Sequence, residues 1–371
     1  MKIAFLTDVY KPVMNGVVIS ITSFAEQLRR FGNAVYIFAP RYPGYRDREG
    51  HVKRFRIVQK LPANYYLQIP VSVGIGNLIK ECDIIHVHHP FVSGLVGLYR
   101  SKLHRIPLVF THHTVYEEYS HYMPFIGKTE EFKKGLNEYV AFFCNNCDCV
   151  IAPTESIREL LKARGVKTRI EVIPTGFNMQ RFQKADGSRI RKKYGGGILV
   201  LYLGRMAKEK NIELLIDVFK DLTKKNKSVK FIFVGEGPLR EELEKKTEEF
   251  KNIIFTGRVR EVEPYYKAAD IFVSASKTET QGIVFAEAKA AGLPVVALDA
   301  MGARDMVKDN DDGFLADTKE DFKAKLLELI ENEKLRKKMS KNALKNSKNY
   351  SMAVTTRRLL RIYKSLMIKK Q

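Results

Sequence analysis

Short apolar, β-branched runs recur along this chain, each followed by a longer stretch in which apolar positions return every three or four residues. That alternation predicts strands and helices in turn, and hence an α/β fold with parallel sheets. IAFLTDV, AVYIFAP, DIIHVHH, PLVFTHH, CVIAPT and IEVIPTG read as strands of a first sheet; ILVLYLGR, VKFIFVG, IIFTGRV, DIFVSAS, PVVALD and GFLAD read as a second set. Between them, residues 176–197, GFNMQRFQKADGSRIRKKYGGG, are polar and close on a glycine triplet, which marks the domain boundary. The expected division is 1–175 and 176–349, with a terminal helix over about 350–371.

The most informative stretch is residues 275–297, ASKTETQGIVFAEAKAAGLPVVA. The strand DIFVSAS should give way there to an Ala-rich helix, Ile283 to Ala291, stopped by Gly292 and Pro294. Gly282 then stands at a helix N-terminus, where free backbone N–H groups and the helix dipole favour a phosphate. Glu279 precedes that seat and Glu287 follows it by a turn or so, so each carboxylate could take sugar hydroxyls on one side of a diphosphate. The ligand this suggests is a nucleotide sugar. The alternative is a solvated helix face rich in Glu.

Two carboxylates with seven residues between them in this context resemble the signature of the retaining glycosyltransferases of the GT-B fold, group 1 and family 4. The resemblance extends over IAFLTDVYKPVMNGVVISI, VFTHHTVYEEYSHY, IPTGFN, LYLGRMAKEKNIELLI, FVGEGPLREEL and DDGFLA, nearly the whole chain. PVMNGVVISI and THHTVYEEYSHY are most similar to the branch that glucosylates diacylglycerol at membranes. The resemblance implies two doubly wound Rossmann-like domains facing a central cleft, the first completed by the terminal helix and binding acceptor and membrane, the second binding the donor. It implies a nucleotide-sugar donor, UDP-glucose in that branch, with no tightly bound cofactor and no metal needed for the chemistry.

On the same basis Glu279, His113, Arg205 and Lys210 are the expected catalytic residues, with His112 the neighbouring alternative to His113. Gly16, Arg205, Lys210, Arg258, Val259, Gly282, Ile283, Val284 and Glu287 are the expected donor-binding residues. Some of these have a physical reading of their own. Arg205 and Lys210, in GRMAKEKN after a strand, could converge on a departing diphosphate and neutralise its charge without a metal. Gly16, in an Asn-Gly turn before a helix, would let a backbone N–H approach phosphate closely.

Other motifs have plainer readings. VGEGP begins like a dinucleotide fingerprint but lacks the third glycine, and Pro238 is expected in the first helical turn. Asp309 to Asp312, which contains an Asp-x-Asp, reads as a turn before Gly313. His86, His88, His89, His112 and His113 invite a metal reading, but HVHHP has no helical ligand spacing. Cys144, Cys147 and Cys149 contain one CxxC without a second pair, so buried cysteines are the expectation.

Composition sets the frame. A chain of 371 residues, 45% hydrophobic, suits two domains of ordinary size. No apolar run reaches the roughly 18 residues that span a bilayer, and Met1–Lys2 lead straight into a strand, which points to the cytoplasm. Charge changes the picture more. The net charge is +22, and residues 334–371 hold nine Lys and four Arg without one acid. TTRRLLRIYKSLMIKK there reads either as a basic amphipathic helix on an anionic membrane or as a helix packed on its own domain. A second basic cluster, Arg41 to Lys60, carries Phe55, Ile57 and Val58, and runs on to Leu61, Tyr65, Tyr66 and Leu67, a mixture suited to lipid headgroups. A peripheral enzyme with a lipid acceptor follows. A related transferase acting on phosphatidylinositol or a soluble sugar is the first rival; a nucleic-acid-binding protein is the second, without a known nucleic-acid signature to support it.

Overall fold

The computed structural model describes residues 1–60, 66–69, 73–117 and 129–368. The chain forms two compact units, one of residues 1–176 with 352–371, the other of residues 177–351. Each is built on a sheet with helices packed against it.

The first unit contains β1 (Lys2–Leu6), β2 (Ala34–Pro40), β3 (Val52–Lys60), β4 (Tyr66–Ile69), β5 (Ile84–Val87), β6 (Leu108–Thr111), β7 (Cys149–Ala152) and β8 (Ile170–Val172). Their order in the sheet is β4-β3-β2-β1-β5-β6-β7-β8. All neighbours run parallel except β3 and β4. The second unit contains β9 (Leu199–Leu203), β10 (Lys230–Val234), β11 (Ile253–Gly257), β12 (Ile271–Ser274), β13 (Val295–Leu298) and β14 (Gly313–Ala316), ordered β11-β10-β9-β12-β13-β14 and all parallel. Its strands are apolar at almost every position because both faces are covered. Val200 and Tyr202 pack into one cluster with Phe231 and Phe233, while Leu199 and Leu201 pack into another with Phe272 and Phe285.

In both sheets the strand order reverses beside the first strand, between β1 and β5 and between β9 and β12. Helices leave opposite faces on either side of such a point, so a crevice opens beyond the strand C-terminal ends. The polar segments that follow β1, β5, β9 and β12 are therefore the places to look for chemistry.

Packing decides between the two readings of the terminal helix, and two expectations, for the basic cluster and for Pro238, are corrected. The terminal helix, Met352–Ile368, spends its apolar stripe on the first unit: Leu359, Ile362, Tyr363 and Leu366 are buried in the same cluster as Val18 and Ile21. That face is not available to a bilayer. The basic cluster from Arg41 contains β3, which the interspersed cations concealed; Phe55 is 1% exposed, and Arg54 forms a bidentate pair with Asp47 while standing over Tyr10, Tyr42 and Tyr45. Tyr66 and Leu67 fall in β4, and Leu61 and Tyr65 lie outside the described residues. The two units divide between Gly176 and Phe177, so residues 177–197 belong to the second unit. They carry the helices Met179–Gln183 and Ser188–Tyr194, with Phe182 and Tyr194 buried in the second unit, and a Cβ on Gly197 would lie 1.8 Å from Ser228 O. Finally, Pro238 precedes its helix, which begins at Arg240.

Candidate active site

Gly204 and Arg205 follow the end of β9, and the chain then makes a single 3-10 turn, Lys208–Lys210, before Asn211 takes a left-handed conformation (φ 52°) and the helix Ile212–Lys225 starts. Asn tolerates that conformation better than most residues. The loop is fixed from several sides. Tyr202 Oη donates to Arg205 O at 3.1 Å, and Met206 N donates to Glu236 O at 2.9 Å. The glycines of VGEGP make this packing possible: a Cβ on Gly235 would sit 2.0 Å from Gly204 O, and one on Gly237 would sit 2.2 Å from Met206 O. Their role here is close backbone approach between two strand-end loops.

Across the reversal, β12 ends at Ser274, and the segment to Gly282 turns back toward the same loop. Thr278 Oγ1 donates to Glu209 O at 3.4 Å. Lys210 Nζ donates to Glu279 Oε1 at 2.5 Å, both side chains being about one-fifth exposed at 17% and 21%. Gly302 fits against Glu279 because it has no side chain; its N–H donates to Glu279 O at 3.0 Å, and a Cβ would lie 2.5 Å from that oxygen. Arg205, 55% exposed, approaches Glu209 at 4.0 Å. Arg205 and Lys210 thus lie on one loop, Lys210 paired with Glu279 and Glu209 near Arg205. No periodicity signals Glu209, Tyr202 or Gly302.

Gly282 is left-handed (φ 71°) and caps the helix Ile283–Ala291, which Gly292 (φ 88°) terminates. A Cβ at 282 would meet the Phe285 ring at 2.5 Å. The backbone N–H groups of Gly282, Ile283 and Val284 therefore open a helix with no side-chain cap hydrogen bond, which is the arrangement that favours an anion. One turn on, Glu287 is half-buried and accepts from Tyr266 Oη at 2.9 Å. Burial pushes its carboxyl up to about 7; the Tyr266 hydrogen bond opposes this and the nearby Glu263 adds to it. Arg258 and Val259 follow Gly257 at the end of β11, where Arg258 N donates to Glu236 Oε1 at 3.1 Å and Val259 is partly buried in the core.

In the first unit, Asn15 caps the helix Gly16–Arg30 by accepting from Val18 N at 2.9 Å, so Gly16 is the first helical residue; a Cβ there would meet nothing within 4 Å. Histidines cluster where β1, β5 and β6 end. His86 bridges Tyr363 Oη (2.5 Å) and Thr111 Oγ1 (2.6 Å), His88 Nδ1 lies 2.9 Å from His113 Nε2, and His89 Nδ1 is 3.2 Å from Thr7 Oγ1. Burial depresses all five, His86, His88, His89, His112 and His113, below the ordinary histidine range, so the rings are neutral at pH 7. Among the described residues no group of three His, Cys, Asp or Glu side chains is arranged to hold a metal ion. Cys144, Cys147 and Cys149 are buried free thiols.

Comparison with known proteins adds an independent line. Residues 14–181 match the Glycosyltransferase Family 4 model, and residues 184–346 match the model for Glycosyl transferases group 1. The chain is 31% identical over 363 residues to the alpha-monoglucosyldiacylglycerol synthase of Streptococcus pneumoniae, covering 89% of this chain and 78% of that one. It is 27% identical over 342 residues to a GDP-mannose-dependent alpha-mannosyltransferase of Corynebacterium glutamicum, covering 88% and 79%. The crystal structure of Anabaena HepE in complex with UDP and glucose superposes with a TM-score of 0.79 at 20% identity, covering 98% of this chain and 100% of that one.

Proposed function

We propose that this chain, which belongs to the glycosyltransferases of group 1 with a family 4 first domain, transfers glucose with retention from UDP-glucose to the free hydroxyl of diacylglycerol. That it is a hexosyltransferase of the GT-B fold follows from its family and architecture; the donor, the acceptor and the residue roles are the proposal. The observation that carries it is the Lys210–Glu279 contact at the strand-order reversal of the second sheet, beside a helix N-terminus built to receive phosphate.

In this reading the diphosphate sits on the N–H groups of residues 282–284, with Arg205 and Lys210 balancing its charge. Glu279 holds the sugar hydroxyls and, as the C1–phosphate bond breaks, the positive charge that develops on the ring. Glu287 holds the ribose, Arg258 and Val259 flank the base, and Gly16 and His113 are proposed to take part in donor binding and catalysis. The acceptor oxygen bonds to C1 on the face the phosphate leaves. Its proton passes to an oxygen of the departing nucleoside diphosphate, which closes the balance without a metal.

The lipid acceptor has support in a surface feature. The helix Val92–His104 leaves Leu95, Tyr99 and Leu103 exposed at 48%, 62% and 53%, at successive turns of one face. Lys102 and Arg105 are exposed beside them and Arg100 stands over Tyr99. Apolar residues in such a row with flanking cations suit the headgroup region of an anionic membrane. The diacylglycerol branch of the named relatives points the same way, and the mannosyltransferase relative keeps the donor open to test.

The experiment is hydrolysis and transfer measured over a panel of UDP- and GDP-sugars, with and without vesicles of phosphatidylglycerol and diacylglycerol. UDP-glucose turnover that rises with diacylglycerol vesicles is the expected result. Turnover indifferent to vesicles but responsive to a soluble sugar, or to phosphatidylinositol, would replace the acceptor.

A further inference from the structure

Tyr266 is fully buried in the helix Glu263–Ala268, whereas Tyr265 beside it keeps part of its surface in water. Phe182 meets the Tyr266 ring edge-on at 5.5 Å, and Phe272 of β12 lies tilted against it at 5.6 Å. A ring walled on two sides places its hydroxyl oxygen at one point, because no free torsion separates that oxygen from the ring. The point lies 2.9 Å from Oε2 of Glu287, on the helix that opens at the phosphate seat. A carboxylate has two accepting oxygens, so this bond leaves Oε1 to accept from a further donor.

The pair stands in a small cluster of charges within the second unit. Glu263, buried at the start of the helix that carries Tyr266, pairs with Arg181 of the helix Met179–Gln183. Burial raises the Glu287 carboxyl to about 7; the Tyr266 hydrogen bond opposes that rise, Glu263 adds to it, and Arg181 opposes it. The helices Met301–Met306 and Glu333–Ser347 also pack on the Glu287 helix but add no charge that acts on this carboxyl. Burial holds Tyr266 itself well above the ordinary tyrosine value, so its hydroxyl is a donor at pH 7. An ionised carboxylate only accepts, whereas a protonated one must also place its own hydrogen. The Tyr266 bond therefore both orients the group and favours its accepting form.

We infer that Tyr266 is a positioning residue for Glu287: its hydroxyl donates to Oε2 and fixes the carboxylate plane, so that Oε1 is presented to a ribose hydroxyl of the nucleotide seated on the second unit. This rests on the ribose role proposed above for Glu287. The helix Met179–Gln183 thereby gains a part in the site, since Phe182 is one of the two walls that hold the Tyr266 ring. In the sequence EPYYKAAD nothing distinguishes Tyr266 from Tyr265.

Calorimetric titration of the whole chain provides the test, with UDP, or GDP should that bind the wild type more tightly, and with the 2′,3′-dideoxy form of the same nucleotide. The two ligands carry the same diphosphate, so the ratio of their dissociation constants reads the ribose hydroxyls, and the titration of the phosphates cancels. In the wild type the ratio should be roughly tenfold to a hundredfold at pH 8, the scale for a hydrogen bond to a charged group. It should fall as pH drops through about 7. Tyr266→Phe keeps the ring and removes only the hydroxyl; its ratio should be about tenfold lower at pH 7 and recover in part at pH 9, where the carboxyl ionises without help. A tyrosine that only fills the core would leave the ratio and its pH course as in the wild type, whatever happened to stability. That result, with Glu287→Gln lowering the ratio, overturns the inference and leaves the role of Glu287 standing. If Glu287→Gln keeps the wild-type ratio, or the wild-type ratio is near one, the ribose role of Glu287 falls, and the inference with it.

Discussion

Lys210 and Glu279, 69 residues apart in the chain, meet at 2.5 Å where the strands β9 and β12 of the second sheet end side by side. The pair is largely shielded from water, so each charge depends on the other more than a surface pair would. Lys210→Ala should lower kcat by about two orders of magnitude, the scale for removing one preorganised charge-stabilising contact. Arg205→Ala should do the same, and the fold should persist in both. Because Lys210 and Glu279 act as a unit, the Lys210→Ala/Glu279→Gln double variant should lose far less than the product of the two single losses. Steady-state kinetics on the four proteins of this cycle decide it; independent losses would show that the contact has no part in catalysis.

Glu279→Gln should reduce kcat more than it raises KM for the donor, whereas Glu287→Gln should mainly raise KM. Their surroundings differ accordingly: Glu279 stands beside Lys210, and Glu287 accepts a hydrogen bond from Tyr266. Titrating nucleotide binding and turnover in both variants separates the roles, and identical shifts in both constants would merge them.

Glu287 also predicts a pH dependence of stability. Its folded-state carboxyl titrates at about 7 because of burial, well above an unfolded glutamate. The folded state therefore binds the proton more tightly, and this favourable contribution is complete below the unfolded value and lost as pH rises through about 7. Glu287→Gln mimics the neutral form and carries no such slope. Urea midpoints should show the variant gaining on the wild type between pH 5 and pH 8, by up to about 3 kcal/mol. A constant difference across that range would mean that Glu287 is ordinary.

Lys289 and Asp312 form a second buried pair, 1% and 0% exposed and 2.5 Å apart, in which Lys289 Nζ also donates to Met306 O and Asp312 accepts from Asn346 Nδ2. The pair ties the helix Ile283–Ala291, which begins at the phosphate seat, to the turn before β14 and to the helix Glu333–Ser347. Lys289→Met leaves a buried carboxylate uncompensated and should cost about 3–5 kcal/mol. Adding Asp312→Asn should recover part of that loss. Denaturation midpoints of the second unit measure both; a mild single variant would show that solvent reaches the site.

Gly282→Ala should leave the protein folded but raise donor KM by an order of magnitude or more. The left-handed backbone at 282 costs an L-residue roughly 1–2 kcal/mol, and the new methyl would press on the Phe285 ring at 2.5 Å. Both effects tilt the N–H groups that open the helix. Isothermal titration with UDP against the wild type is the check.

The sequence by itself determined the α/β class, the two parallel sheets, the helix opened by Gly282 and closed by Gly292, and the family, because these reside in local spacing: fully apolar strands, a glycine where φ is positive, carboxylates at fixed separation. Tertiary structure alone decided the rest. An apolar stripe on a basic helix is the same pattern whether it meets lipid or protein, and only packing shows that Leu359, Ile362 and Tyr363 meet the first unit while Leu95, Tyr99 and Leu103 stay exposed. β3, paired with β2 on one side and β4 on the other, is hidden in the sequence because cations such as Lys53 and Arg56 interrupt its apolar residues, of which Val52 and Phe55 are buried. The partners that fix the site are distant in the chain: Lys210 with Glu279 and His88 with His113 come from segments that follow separate strands, and Tyr266 with Glu287 from two packed helices. Hydrogen bonds over such separations leave no period in the chain, since what sets them is the distance across a folded sheet and not the distance along the sequence.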